Sequence, residues 1–330
     1  MPNIQQGKPN LDVFCASLME LAAQDRDIFV VTSDSRGSAK LAPFCEKFPD
    51  RVVEVGIAEQ SLVGVAAGMG SSGKKVFVVS PASFLTARAL EQIKADVAYS
   101  DIPVVLIGIS AGVSYGALGS THHSLHDIAA LRAVNNIDIF VPADNFETRE
   151  AVRAAAARGR PAYIRLGKRP MPHIHAPETR FSAGEAILVR DGHDGAFIAT
   201  GETVHKACQA AEILNSENIR CRVVSMHTIR PLDTAAILDA ASACGAVITV
   251  EEHMVHGGLG EACASALMQA GAAVPFKIAG IPDEYTVTGS QEEIFGHYGL
   301  CAAPLADAMR ALLKRRGRTA APQPHQYTVC

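Results

Sequence analysis

Short runs of apolar, mostly β-branched residues alternate along the first half of the chain with stretches of helical periodicity. Strands are predicted at residues 28–33, 51–55, 75–80, 103–109, 138–141 and 162–166. Helices are predicted between them at residues 11–24, 60–69, 86–99 and 148–158. Several strands are apolar throughout, which is typical of strands covered by helices on both faces. The pattern predicts an α/β fold with a mostly parallel sheet.

A proline-rich segment interrupts this pattern at residues 171–180, with two histidines and no periodicity, and it indicates a linker. The alternation then restarts. Strands are predicted at residues 196–200, 220–225, 246–250 and 276–279, and helices at residues 204–214, 233–243, 259–270 and 305–314. We therefore expect two α/β domains, at residues 1–170 and 183–316, joined by a linker at residues 171–182. Residues 317–330 are predicted to form a flexible tail.

Composition narrows the class of protein. Hydrophobic residues make up 48% of the 330 residues and charged residues 19%, which is enough for large cores and excludes disorder of the whole chain. The formal net charge of −4 supplies no broad positive surface for nucleic acid. The longest apolar runs are far shorter than the roughly 20 residues that cross a bilayer. The eight cysteines form no CxxC pair, which indicates reduced thiols and a cytoplasmic protein without a membrane partner.

The first candidate for chemistry is Glu59, which follows an apolar strand ending at Gly56 and opens a helix rich in small residues. A glutamate in the first turn of a helix usually serves the helix dipole. The alternative is a buried carboxylate that bonds a ring nitrogen of a ligand. In the next strand-to-helix connection, Phe84 is either a core residue or an aromatic face on which a planar ring stacks.

A third candidate segment is rich in glycine and serine and ends in three closely spaced histidines, His122, His123 and His126. Three interpretations stay open: an exposed polar loop, imidazoles that handle a substrate, and a metal site. The spacing of His122 and His126 supplies two ligands and no third. Near the end of the last strand of this half, Arg165 and Lys168 place cations where an anionic group could bind.

Together these segments resemble the C-terminal half of transketolases and related thiamine-diphosphate enzymes. The similar segments in the first half contain Glu59, then Ser83-Phe84-Leu85, Gly119-Ser120-Thr121-His122 and the strand at residues 162–167. In the second half they are residues 198–201, 229–233, 249–253 and 257–260. The resemblance covers about residues 8–315 and implies a pyrimidine-binding domain followed by the transketolase C-terminal domain.

The resemblance also implies roles for single residues. Glu59 would share a proton with a nitrogen of the cofactor's aminopyrimidine, and burial would keep a carboxyl group available for this near neutral pH. Phe84 would stack on that ring, with Arg88 and Asp34 as further cofactor contacts. His122 and His123 would contact the substrate, and His122 could move protons as the carbon–carbon bond breaks.

A motif that the full-length family carries is missing from this chain. The sequence contains no Gly-Asp-Gly…Asn segment of the kind that binds the diphosphate and Mg²⁺. The chain therefore resembles the small subunit of a split transketolase. Such a subunit needs a separate diphosphate-domain partner, which ligates the Mg²⁺, and forms a heterotetramer with it. The implied reaction transfers a two-carbon glycolaldehyde unit from a ketose phosphate donor to an aldose or ketose phosphate acceptor.

Two positions depart from the usual family pattern. Leu118 stands where transketolases carry an aspartate that contacts a sugar hydroxyl, and Ser110 stands where they carry a phosphate-contacting histidine. We therefore expect an unusual sugar, such as apulose 4-phosphate, with Leu118 at the substrate and Arg165 or Lys168 on its phosphate. Three alternatives stay open: the β subunit of a 2-oxo-acid dehydrogenase, a deoxyxylulose-phosphate-synthase-like subunit, and a non-catalytic binding or regulatory module.

Overall fold

Two main sheets and a short ribbon hold the strands of the computed structural model, which describes residues 5–176 and 178–319. The strands of the first half are β1 (Gln6–Pro9), β2 (Ile28–Thr32), β3 (Val52–Glu54), β4 (Lys75–Pro81), β5 (Val105–Ile109), β6 (Asp138–Phe140), β7 (Ala162–Leu166) and β8 (Pro170–Pro172). Those of the second half are β9 (Ile187–Arg190), β10 (Gly195–Ala199), β11 (Cys221–Ser225), β12 (Thr228–Arg230), β13 (Val247–Met254) and β14 (Phe276–Ile281).

Helices connect these strands. In the first half they are α1 (Asn10–Gln24), α2 (Ala42–Lys47), α3 (Glu59–Ser71), α4 (Ala82–Arg88), α5 (Leu90–Gln92), α6 (Asp127–Arg132) and α7 (Asn145–Arg158). In the second half they are α8 (Thr203–Asn215), α9 (Thr234–Ala243), α10 (Leu259–Gln269), α11 (Gln291–His297) and α12 (Ala302–Thr319). Among the described residues, none of these helices is long and apolar enough to span a membrane.

The first sheet has seven strands in the order β12-β6-β7-β5-β4-β2-β3. Every neighbouring pair from β6 to β3 is parallel, and only the edge strand β12 runs antiparallel to its neighbour. The carboxyl ends of β2, β3, β4, β5 and β7 therefore share one edge. In open parallel sheets that edge is where ligands bind.

The second sheet has five strands in the order β14-β13-β10-β11-β9, parallel except for the edge strand β9. Helices cover both sheets, as the continuous apolar strands predict, so the α/β fold class is confirmed. Strand β12 follows the predicted linker in sequence yet completes the first sheet, and one apolar core contains residues of both sheets, such as Val78 and Ile198. The domain limits at residues 170 and 183 stay a prediction.

The predicted linker is more ordered than its composition indicated. Pro170–Pro172 forms β8 and pairs antiparallel with β1, which a proline can join because the ribbon has free edges. Farther along, the imidazole of His175 is buried between two carboxylates. Its Nδ1 lies 3.0 Å from Oδ2 of Asp144, and its Nε2 lies 3.1 Å from Oε1 of Glu147. Hydrogen bonds to Asp144 and Glu147 outweigh the burial that alone would lower the pKa of His175, and they raise it to about 10.

Three predicted helices differ in their limits. The helix expected at residues 86–99 begins earlier, as α4, and its last turns, Ile93–Tyr99, are π-helical. The helix expected from residue 148 begins at Asn145, because the Asp144 side chain accepts the amide of Glu147 and caps it. The last helix continues to Thr319, past the predicted start of the tail. The rest of that predicted tail lies outside the described residues.

Candidate functional site

Four segments meet at the carboxyl edge of the first sheet. They are the start of α3 after β3, helix α4 after β4, the loop at residues 110–126 after β5, and residues 167–169 after β7. Because the strands are parallel and adjacent, these segments converge although the sequence separates the first of them from the last by more than 100 residues. All but one of the residues singled out from the sequence, Asp34 being the exception, lie on these segments or on the strands that end at them.

Glu59 is the first residue of α3, as predicted, and its side chain is only 5% exposed. Its Oε1 atom lies 2.8 Å from Nη1 of Arg88, which projects from the end of α4. This ion pair aims the carboxylate away from its own helix and toward α4. The arrangement favours a carboxylate presented to a ligand over one that serves only the helix dipole.

Phe84 lies in the same cluster and is half-buried. The guanidinium carbon of Arg88 stands 4.2 Å above the centre of its ring, and the ring of His122 meets it edge-on at 5.2 Å. One face of Phe84 therefore lies next to the Glu59 carboxylate, with Arg88 bridging the two. A planar ring that stacked on this face while bonding Glu59 would take the place of the Arg88 guanidinium.

Glu59, Phe84 and His122 thus form a row of neighbouring side chains. The row continues from His122 along the glycine-rich loop, residues 110–126. His122 meets the ring of Tyr115 edge-on at 5.5 Å, and Nζ of Lys168 lies 4.9 Å from the centre of that same ring. Lys168 is exposed. The site thus runs from a buried carboxylate, through three rings, to an exposed cation at the end of β7. A sugar phosphate has the complementary order of a reacting end and an anionic end.

Leu118 and Ser110 differ sharply in solvent exposure. Leu118 ends a short helical turn, Gly116–Leu118, between Tyr115 and His122 in the sequence, and it is 53% exposed. Ser110 is completely buried, with a left-handed backbone at φ 54°. Leu118 can therefore present an apolar surface to a substrate, whereas the buried Ser110 is not accessible to one.

His123 has both ring nitrogens engaged within the protein. Its Nε2 lies 2.9 Å from the carbonyl oxygen of Gly116 and its Nδ1 lies 2.6 Å from the hydroxyl of Thr286. Burial lowers its pKa below the ordinary value, so the ring is neutral. Nε2 donates to the carbonyl, and Nδ1 accepts from the hydroxyl. Both nitrogens of His123 therefore have partners within the protein, and the substrate role expected for His123 stays a prediction.

Arg165 is also engaged within the protein. Its side chain is 6% exposed, and its Nε donates to the fully buried carboxylate of Asp127 at 2.8 Å. Its Nη2 donates to the carbonyl oxygens of Ser124 and Glu252. Burial alone would raise the pKa of Asp127, but the charge of Arg165 keeps that pKa below its ordinary value. Of the two predicted phosphate ligands, Lys168 is therefore the accessible one.

Beneath the glycine-rich loop lies a pair of carboxylates from the second half of the chain. One amide nitrogen of Gln291 donates to both Glu252 and Glu202 at 2.8 Å, and Glu252 also accepts the backbone amide of Val113. Burial, together with the charge of Glu252, raises the pKa of Glu202 to about 8. A side chain at Gly112 would overlap the Glu252 carboxylate, which explains the glycine there.

Asp34 lies apart from the row, exposed after β2. Its backbone has a φ of 51°, and its amide donates to Glu54, which also accepts the amide of Gly56. The metal interpretation of His122 and His126 gains nothing from the structure. Within residues 5–176 and 178–319, no group of three or more His, Cys, Asp or Glu side chains is arranged to hold a metal ion.

Sequence reasoning missed several residues of the site. Tyr115 carried a signal, since it is the aromatic residue in a loop of small residues, and it joins His122 to Lys168. Thr286, Gln291 and Glu202 carried none, because they come from the second half of the chain and reach the loop only through the packing of the two sheets.

Two family models match the chain. Residues 11–173 match the pyrimidine-binding domain of transketolase, and residues 184–304 match the transketolase C-terminal domain.

Individual proteins agree with this assignment. The chain is 48% identical over 288 residues to an apulose-4-phosphate transketolase subunit of Phocaeicola vulgatus, covering 87% of this chain and 92% of that protein. It is 41% identical over 287 residues to the subunit of the same name from Actinobacillus succinogenes, covering 87% and 92%. Among solved structures, one described as a split-gene transketolase in an inactive β4 tetramer superposes with a TM-score of 0.83, at 34% identity. That match covers 93% of this chain and 99% of the other.

Proposed function

Since the chain belongs to the transketolase family, we propose that it is the pyrimidine-binding subunit of a two-chain transketolase. Its site would transfer a two-carbon glycolaldehyde unit between sugar phosphates, with apulose 4-phosphate as the distinctive substrate. The observation that carries this proposal is the row from Glu59 through Phe84, His122 and Tyr115 to Lys168. It provides, in order, a proton-sharing group, a stacking face, an imidazole and a cation.

The residues present fit the aminopyrimidine half of thiamine diphosphate. The position of Arg88 supports this fit, because its planar guanidinium both stacks on Phe84 and bonds the Glu59 carboxylate, as the ring of the cofactor would. Glu59 would hold a proton at a ring nitrogen, and Phe84 would support the face of the ring. When bound, thiamine diphosphate supplies the carbanion chemistry that the side chains cannot. Arg88 is half-exposed and can move aside while staying near the site.

The diphosphate and Mg²⁺ are assigned to a partner chain. The sequence lacks the family's Gly-Asp-Gly…Asn motif, and the described residues offer no cluster of metal ligands. The two relatives from Phocaeicola and Actinobacillus are named as subunits of a transketolase, and the β4 tetramer of the split-gene relative is described as inactive. We therefore propose a heterotetramer with two copies of each chain. A cytoplasmic location stays a prediction.

The substrate assignment rests on the far end of the row. Lys168 would bind the phosphate as an exposed cation, and His122 would bond the sugar oxygens next to the reacting carbon. Leu118 would offer an apolar wall in place of a carboxylate, which suits a branched carbon or a ketone carbon better than the secondary carbinol of an ordinary aldose. Relatives named for apulose-4-phosphate support this choice.

The alternatives are less well supported. Relatives at 48% and 41% identity are named transketolase subunits, which favours this class over a 2-oxo-acid dehydrogenase or a deoxyxylulose-phosphate-synthase-like subunit. A non-catalytic module has no need of a buried carboxylate, a half-exposed aromatic face and an imidazole in one row.

Product identification tests the proposal. The chain is co-expressed with the diphosphate-domain chain, loaded with thiamine diphosphate and Mg²⁺, and given apulose 4-phosphate labelled with ¹³C in its two-carbon unit. Glyceraldehyde 3-phosphate serves as the acceptor. We expect the label in a five-carbon ketose phosphate, detected by NMR. Label found only in a free acid or in carbon dioxide would assign the chain to a different reaction class.

A further inference from the structure

A segment of the second half of the chain, residues 282–290, lies directly against the glycine-rich loop. Gly116 in that loop has a φ of 51°, and a Cβ atom built on it would lie 2.5 Å from the carbonyl oxygen of Gly289. Only a glycine permits both the left-handed backbone and this close approach. The two segments therefore pack backbone to backbone at the edge of the candidate site.

Thr286 makes the polar contacts between these segments. Its side chain is buried, and its Oγ1 atom lies 2.6 Å from Nδ1 of His123 and 2.9 Å from the hydroxyl of Ser120. The imidazole uses its single proton at Nε2 on the carbonyl oxygen of Gly116. The direction of each bond is then fixed. Ser120 donates to Thr286, Thr286 donates to His123, and His123 donates to Gly116.

This relay ties three points of one short loop to a single hydroxyl. In sequence, residues 116, 120 and 123 flank Leu118 and His122. His122 belongs to the row of rings, and Leu118 is exposed. The amides of His122 and His123 also both donate to the carbonyl oxygen of Gly119. A shift of His123 therefore moves His122 with it.

We propose that Thr286 is a positioning residue for the substrate loop, holding His122 and Leu118 in register with Phe84 and Lys168 through His123. The proposal rests on the transketolase function proposed above. It assigns the second half of the chain a part in substrate binding, although every residue of the row itself comes from the first half. The contact that would do this is one hydrogen bond, which the Thr286 hydroxyl donates to Nδ1 of His123.

The test uses the assembled two-chain enzyme with Thr286→Val, which keeps the shape of the side chain and removes the hydroxyl. Losing the two hydrogen bonds of this hydroxyl, from Ser120 and to His123, is expected to raise KM for both sugar phosphates roughly 10-fold. Thr286→Ser keeps the hydroxyl and should restore KM to within about 3-fold of the wild type. Thr288→Val is the matched control, because it removes a hydroxyl two residues away and keeps the methyl group near Gly119.

Amide hydrogen exchange of the chain supplies a readout that is independent of activity. Thr286→Val should speed exchange at residues 116–123 while the rest of the chain exchanges as in the wild type. Faster exchange throughout the chain would mean simple destabilisation and would overturn the proposal, as would an unchanged KM with unchanged local exchange. A wild-type enzyme that transfers no two-carbon unit would refute the proposed function instead, and the exchange data would still show whether Thr286 holds the loop.

Discussion

Replacing Arg165 by methionine is expected to destabilise the chain strongly, because Arg165 joins the two sheets from a buried position. Its guanidinium neutralises Asp127, which is fully buried, and bonds the backbone of both the glycine-rich loop and β13. Methionine keeps much of the volume and none of these contacts.

The magnitude follows from the burial of both partners. Removing one member of a buried ion pair costs about 3–5 kcal/mol, because the remaining charge has no partner and no water. For a chain of this size that corresponds to a fall in the midpoint of thermal unfolding of about 4–7 °C. Differential scanning calorimetry of the chain measures the fall directly.

Lys168→Met is the matched control, since Lys168 is the exposed cation three residues along. We expect its unfolding free energy to stay within about 0.5 kcal/mol of the wild type. In the assembled enzyme, loss of its charge-assisted contact should raise KM for phosphorylated substrates about 10- to 100-fold. An Arg165→Met variant that keeps its stability but selectively loses activity with phosphorylated substrates would refute this reasoning. Arg165 would then be the residue that binds the phosphate.

Three further predictions concern the rest of the site. Glu59→Gln should lower kcat about 10²- to 10⁴-fold while assembly is retained, since an amide cannot share a proton; hydrogen–deuterium exchange at C2 of bound thiamine diphosphate checks this, and unchanged exchange would contradict it. Leu118→Asp should shift kcat/KM toward ribose 5-phosphate relative to dihydroxyacetone phosphate, and equal ratios in both enzymes would contradict the assignment of Leu118. The raised pKa of Glu202 means that the folded chain holds a proton there that the unfolded chain loses, so the free energy of unfolding falls as the pH rises from the ordinary pKa of 4.5 to about 8. Urea unfolding at about pH 5 and about pH 8 measures this fall, which should be smaller in Glu202→Gln than in the wild type. An equal fall in both proteins would contradict the pKa shift.

Local pattern was enough to predict the fold class and the position of Glu59 at the start of its helix. Continuous apolar strands required helices on both faces, and the structure has them. Glu59 opens its helix as expected, because the apolar strand before it ends near Gly56 and the residues after it form a helix. The residues alone left Phe84 open between a core aromatic and a stacking face and left His122 open among three interpretations, and the resemblance to transketolase implied their roles.

The remaining features depend on packing between the sheets, which no local pattern contains. Arg165 has the charge of a phosphate ligand, and only the position of Asp127 shows that its guanidinium is already bound. His123 stands next to His122 in sequence but turns toward Thr286, 163 residues away. The linker was predicted to be irregular because its prolines are unfavourable in a strand, although it pairs with β1. The contacts of His175 with Asp144 and Glu147 at the start of α7 could not be predicted from the local pattern.

The central claim is that one ketol-transferring site is divided between two chains, and titration of one chain against the other tests it most directly. Increasing amounts of the diphosphate-domain chain are added to a fixed amount of this chain, with saturating thiamine diphosphate, Mg²⁺ and both sugar phosphates. We predict no transfer by either chain alone and a rate that rises to a plateau at a one-to-one ratio. Transfer at the plateau rate by this chain without its partner would contradict the claim.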